Sequence, residues 1–221
     1  MLCYEAVHRF PVMRIALDFD GTIVGCEARQ MSVLSAVSTR MGIRVDLRSV
    51  WKHKRDGLNT RDSLISTGIP SDQSAMLQSA WVAEIESPGW LSLDQLLPGV
   101  RDVLCAWSIS GHHLTLLSAR SRSEWLACQV RNLGIRGYFD NVVCVDPLRA
   151  VEQKTKALKG LHADHFVGDT ESDYESASAA SVEFTAVSSG QRSRDYLKAK
   201  GCTSIVDTVA SENFRLKIGV P

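Results

Sequence analysis

The stretch MRIALDFDGT, residues 13–22, decides the fold of this chain. Its apolar run meets two carboxylates, Asp18 and Asp20, and then Gly21, which is how a buried parallel strand ends at a functional edge. Residues 13–20 are therefore a first strand, and Gly21 lets the backbone turn sharply beyond it. Further along, residues 113–118 (HLTLLS), 141–145 (NVVCV), 165–168 (HFVG) and 182–187 (VEFTAV) are short, rich in β-branched or aromatic side chains, and bounded by polar residues or glycine. Between and around them lie helical stretches at 100–110, 121–133, 149–161, 171–180 and 192–200. Ser121 and Glu124 have capping-box spacing, and Gly134 and Gly201 suit helix ends. Strand alternating with helix predicts an α/β fold with a doubly wound parallel sheet covered on both faces.

The alternation stops between the first strand and residue 95. Residues 28–41, 47–54, 61–67 and 71–85 are amphipathic and helical, with no strand among them. Gly42, Gly57, Gly68-Ile69-Pro70 and Pro88-Gly89 punctuate them, and Ser71 after Pro70 is placed as an N-cap. The expected division is a core domain of residues 1–22 and 95–221, with a smaller all-helical domain inserted at 23–94.

Composition narrows the function classes. The 221 residues are 44% hydrophobic and 23% charged, enough apolar side chain for the chain to fold throughout. Lys plus Arg and Asp plus Glu both number 25, so no net charge draws the molecule to nucleic acid or to an anionic membrane, and neither is expected as a partner. The six cysteines (Cys3, Cys26, Cys105, Cys128, Cys144, Cys202) show no metal-ligand spacing and read as reduced core thiols. Residues 1–12 lack the apolar core of a signal peptide, and no window approaches the roughly 20 apolar residues of a membrane span. The cytoplasm is the expected location.

Four sites stand at or beyond predicted strand ends, where ligands bind in open α/β sheets. They are Asp18-Phe19-Asp20-Gly21-Thr22; Ser118 beside Ala119; Lys154 in the helical stretch after the third core strand; and Gly168-Asp169 with Asp173. Singly, each has a commoner use. D-x-D-G occurs in turns and calcium loops, a strand-end serine caps helices, a helix lysine is usually solvated, and acids at a helix start offset the dipole. Together, in this order, they resemble the four-motif signature of the haloacid dehalogenase (HAD) superfamily across the whole chain. The insert lies immediately after the first motif, where that family carries its C1-type cap, and Pro98-Gly99-Val100 resembles the return to the core. Lys156 is the alternative to Lys154.

The resemblance implies a Rossmann-like core and a Mg2+-dependent phosphohydrolase of phosphoglycolate-phosphatase layout, acting on a small phosphorylated metabolite. It assigns Asp18 as nucleophile and Asp20 as general acid and base. Asp18, the backbone carbonyl of Asp20, Asp169 and Asp173 are the Mg2+ ligand set, Asp173 in or just outside the shell. Ser118, Ala119 N–H and Lys154 receive the phosphate oxygens. Dehalogenases of the superfamily lack an acid at the position of Asp20, so carbon–halogen cleavage is not expected. Nothing identifies Lys52 or Lys54 as the Schiff-base lysine of phosphonate hydrolysis.

Two other readings are carried. One is a phosphotransferase of the β-phosphoglucomutase type, suggested by residues 57–64 (GLNTRDSL), in which Arg61 is either a substrate contact or a surface residue. The other is a catalytically idle binding module, against which the intact set of polar positions argues. The run WKHKR, residues 51–55, is either a solvated helix face or a contact for an anionic group on the substrate.

Overall fold

The computed structural model describes residues 11–212 and residue 214; Cys3 and most of the 1–12 segment lie outside them. Strand β1 (Arg14–Leu17) sits at the centre of a six-stranded parallel sheet. Across the sheet the order is β5 (Asn141–Val145), β4 (His113–Ala119), β1, β6 (His165–Gly168), β7 (Glu183–Val187) and β8 (Ile205–Val206). The chain thus builds one half outward from β1 and then crosses to build the other. Ile15 pairs in register with Leu114 on one side and His165 on the other, so the carboxyl ends of β4, β1 and β6 lie side by side.

Period-two burial on both faces explains the unbroken apolar run of β1. Ile15 and Leu17 pack with α6 (Val100–Ile109) and α7 (Ser123–Asn132) through Val103, Leu104, Trp107, Leu126 and Val130. Ala16 faces the opposite layer, where Leu158 of α8 (Ala150–Gly160) and Ala177 of α9 (Glu171–Ala180) meet Leu117 and Phe166. The sheet is doubly wound, with a Rossmann-like arrangement of strands and helices. Helix α10 (Arg194–Ala199) buries Leu197 against Ala186 and Cys202.

The insert contains α1 (Glu27–Arg40), α2 (Leu47–Arg55), α3 (Thr60–Ser66), α4 (Ser71–Glu84) and α5 (Pro88–Leu91). The first four gather around their own hydrophobic cluster of Val33, Leu34, Val37, Val50, Leu64, Leu77 and Ile85. Where the chain leaves and returns, β2 (Val24–Gly25) pairs antiparallel with β3 (Gln95–Leu96).

Several local expectations are corrected. The two-residue strands β2, β3 and β8 are too short to show a period. Pro88-Gly89 is not a bare turn: Pro88 opens α5, in the first turn, where its missing N–H leaves no intrahelical bond unmade. Ser71 is the first residue of α4, with Pro70 as its N-cap. Ser121 does not cap α7, whose N-cap is Arg122; its N–H instead donates to the Glu86 carboxylate at 3.0 Å. Nor are all the cysteines core residues, since Cys128 is exposed while Cys26 and Cys202 are buried. Among the described residues no helix is long and apolar enough to cross a membrane.

Candidate active site

The residues marked in the sequence converge on one cleft of about 160 Å3 at the carboxyl edge of the sheet, lined by Asp18, Asp20, Ser118, Ala119, Lys154, Asp169 and Asp173. Asp18 leaves β1 and ties it to β6 by donating its N–H to Val167 O at 2.8 Å. The chain then closes on itself, with the N–H groups of Ile23 and Val24 both donating to Phe19 O at 2.9 and 3.0 Å. Gly21 takes φ +81°, and a β-carbon there would overlap the Asp169 carboxylate, so only glycine serves the turn. Ser118 and Ala119 end β4 opposite Cys144 and Val145. Asp169 follows β6 directly, and Asp173 sits in the first turn of α9, where it forms a reciprocal capping box with Thr170.

Lys154 projects from α8 into the centre of this group. Its ammonium, 4% exposed, donates to Asp18 Oδ1 at 2.7 Å and Asp173 Oδ1 at 2.6 Å. Lys156 is exposed on the same helix, so Lys154 is the lysine of the cleft. Burial opposes a charged lysine, but the two carboxylates outweigh it and hold the ammonium above its usual range. Burial pushes the Asp18 carboxyl up to about 7 against the pull of Lys154, with Asp173 and Asp20 adding repulsion. Asp169 is driven well above the carboxylate range by burial and then by Asp18.

Three carboxyl groups share one ammonium, so ionising all of them would leave negative charge uncompensated, and one oxygen from each of Asp18, Asp169 and Asp173 lies within 4.8 Å of the others. Asp169 Oδ2 accepts the Gln191 N–H at 2.6 Å, while Oδ1 is buried with no partner. A buried carboxylate oxygen left open beside two other carboxylates fits a hard divalent cation. Both oxygens of Asp173 are already engaged, by Lys154 and by the N–H and hydroxyl of Thr170 at 3.1 and 2.7 Å, so this side chain is fixed from behind.

Sequence reading missed what surrounds Asp20. Arg120 grips its carboxylate with two bonds, of 2.6 and 2.7 Å, and Arg29 of α1 pairs with Oδ1 from the insert. Arg29 also binds Asp94 at 2.9 Å, and Asp94 accepts from Gln129 at 2.8 Å. Burial would raise the Asp20 carboxyl, but the two arginines prevail and lower it. The WKHKR run divides by position: Lys52 is exposed, whereas Lys54 is buried, donating to Thr60 Oγ1 at 2.8 Å with its ammonium 4.7 Å from the centre of the Trp81 ring. Burial depresses the Lys54 ammonium to about 8. Arg55 donates to the carbonyls of Gly190 and Ser188. Arg61 lies exposed on α3 and donates to Ser71 Oγ at 2.9 Å, the surface position that was one of its two readings.

The family model of haloacid dehalogenase-like hydrolases matches residues 15–187, most of the chain and every motif position of the cleft. The chain belongs to this family. No curated protein sequence matches it. Solved structures with the same fold include a haloacid dehalogenase-like hydrolase from Streptococcus pneumoniae, 19% identical, with a TM-score of 0.69 over 89% of this chain and 94% of that one. A predicted phosphatase from Clostridium acetobutylicum is 18% identical, with a TM-score of 0.71 over 94% and 99%. A predicted phosphoglycolate phosphatase from Haemophilus somnus is 14% identical, with a TM-score of 0.71 over 93% and 98%. At these identities the likeness is one of fold. The HAD-family assignment rests on the sequence match and makes the chain a hydrolase of that family.

Proposed function

We propose that the chain is a Mg2+-dependent phosphatase that hydrolyses the phosphate monoester of a small cytoplasmic metabolite through an aspartyl-phosphate on Asp18. The observation that carries this reading is the bridge of Lys154 between Asp18 and Asp173, set beside the unpartnered oxygen of Asp169. An anionic nucleophile must approach an anionic ester, so the site has to supply positive charge before any bond changes. Asp18, Asp169 and the backbone carbonyl of Asp20 would hold Mg2+, with Asp173 bracing the shell, and the cation would offset the repulsion between nucleophile and ester.

The chain's own groups do the rest. Lys154 holds Asp18 in place as the carboxylate attacks phosphorus, and with the Ser118 hydroxyl and the Ala119 N–H it receives the transferring oxygens. Asp20, kept anionic by Arg29 and Arg120, is fit to take a proton from the water that attacks the aspartyl-phosphate. To protonate the leaving oxygen in the first step Asp20 must already hold a proton taken from solvent, which requires that grip to loosen, and the attacking water then returns a proton to it. Arg29 belongs to the helical insert, residues 23–94, which we take as a cap over the cleft. The surface position of Arg61 withholds the mutase-type contact, so hydrolysis is preferred to phosphotransfer. The test is turnover of an aryl phosphate with and without Mg2+. Wild type should need the cation and Asp18→Asn should abolish turnover, whereas activity within about tenfold of wild type in a clean Asp18→Asn preparation would overturn the assignment.

A further inference from the structure

The segment 188–193, between β7 and α10, lies between the carboxylate cleft and the insert and makes hydrogen bonds to both. Toward the cleft, Ser189 Oγ donates to Gly21 O at 2.8 Å and the Gln191 N–H donates to Asp169 Oδ2 at 2.6 Å. Gly190 packs so closely on Asp169 that a β-carbon there would overlap the carboxylate. Toward the insert, Arg55 of α2 donates to Gly190 O at 2.6 Å and Ser188 O at 2.9 Å, and its own carbonyl accepts the Ser193 N–H at 2.8 Å. Arg192 reinforces the same seam, donating to Lys54 O at 2.8 Å while gripping Glu171 with two bonds.

We infer that Arg55 is a positioning residue for Asp169: it pins this strap so that Gln191 holds Oδ2 and leaves Oδ1 turned toward the cation. The inference rests on the reading of Asp169 as a Mg2+ ligand. The strap takes Asp169 Oδ2 and leaves Oδ1 open, so it would set the direction from which a cation is met. A glycine with no side chain lets the backbone reach the carboxylate, and a guanidinium spanning two carbonyls fixes that backbone more firmly than one bond would. Because Arg55 comes from the insert, seating of the insert and binding of Mg2+ are thermodynamically linked, and each strengthens the other by the same factor.

Contacts made directly to a metal ligand are worth about 10- to 100-fold in metal affinity, and because Arg55 acts one bond further out, through the segment that makes such a contact, the lower end applies. Calorimetric titration of the full chain with Mg2+ should therefore show Arg55→Ala weakened by about tenfold, with Arg55→Lys recovering part of the loss through one carbonyl bond. Glu86→Ala breaks a different contact between insert and core, the bond to Ser121, and should stay within about twofold of wild type. Arg55→Ala within about twofold of wild type, or Glu86→Ala as weak as Arg55→Ala, would overturn the inference. If Arg55→Ala does not fold, amide exchange on wild type decides: Mg2+ should slow exchange at Gln191 and Ser193, and unchanged Ser193 exchange at saturating Mg2+ would overturn it. Absence of any saturable Mg2+ binding by wild type would strike the metal assignment itself, and the inference with it.

Discussion

Replacing Arg29 by Met removes the side chain through which the insert reaches Asp20. The guanidinium is 3% exposed and bonds to Asp20, Asp94 and the Ile85 carbonyl, and the Asp94 side chain is fully buried. Asp20 would keep its two bonds from Arg120, but Asp94 would retain only Gln129 and a more distant Arg120 at 3.8 Å. Breaking a buried pair by deleting one partner costs about 3–5 kcal/mol, because the remaining charge stays buried. Against a total stability of about 5–15 kcal/mol that is a large share. At about 2–4 °C per kcal/mol for a chain of this size, the melting temperature should fall by about 6–20 °C. Circular dichroism during thermal and urea unfolding measures the loss. The loss should shrink below neutral pH, since burial already raises the Asp94 carboxyl and without Arg29 it can take up a proton. Adding Asp94→Leu should recover most of the stability, because removing both charges leaves neither unpaired. A loss under about 1 kcal/mol in Arg29→Met, or no recovery in the double variant, would refute the view that this network is tightly coupled.

Lys54 gives a pH test. Burial depresses it from 10.5 to about 8, a difference of about 2.5, so the folded state binds fewer protons than the unfolded state between those values and wild-type stability rises with pH there. Lys54→Met should be more stable than wild type at pH 7 by about 2 kcal/mol, from about 3 of burial penalty less about 1 for the lost Thr60 bond, and should lose that advantage by about pH 10; a difference that stays flat across this range would show that the ammonium is not penalised. Asp20→Asn should bind Mg2+ nearly as well as wild type, since its assigned ligand is a backbone carbonyl, while Asp169→Asn should bind it far more weakly; equal losses in calorimetric titration would contradict that division.

What the sequence shows most clearly is what local pattern controls. Residues 13–20 name a doubly buried strand and its carboxylate-bearing end; Asp-x-Asp-Gly alone has other uses, and its order with Ser118, Lys154 and Asp169 is what singles it out. Lys154 is separated from Lys156 on the helix by burial, since Lys154 shares the buried face with Leu158 four residues on. Arg29 is different. It reads as one more polar residue near the start of an amphipathic helix, and its role depends on Asp94, far along the chain and buried beside it. Arg120 follows Ser118-Ala119 closely enough to draw notice, yet nothing local says that it turns back to Asp20. The strap was unreadable for a simpler reason: its bonds to Asp169, Gly21 and Arg55 are made by backbone groups and one serine hydroxyl, for which no residue type is diagnostic. Lys54 and Arg55 lie in a basic run whose alternative reading was a solvated face, and only packing against Trp81, Thr60 and Gly190 distinguishes them.

The proposed chemistry turns on a covalent phosphoryl group on Asp18, which rapid acid quenching traps directly. Wild-type chain mixed with Mg2+ and excess aryl phosphate, quenched in acid within one turnover and digested, should yield a peptide spanning residues 15–22 that carries the mass of one phosphoryl group. Fragmentation should place that group on Asp18, and the Asp18→Asn variant should give none. Burst release of the aryl alcohol without that adduct, or an adduct that persists in Asp18→Asn, would contradict the account.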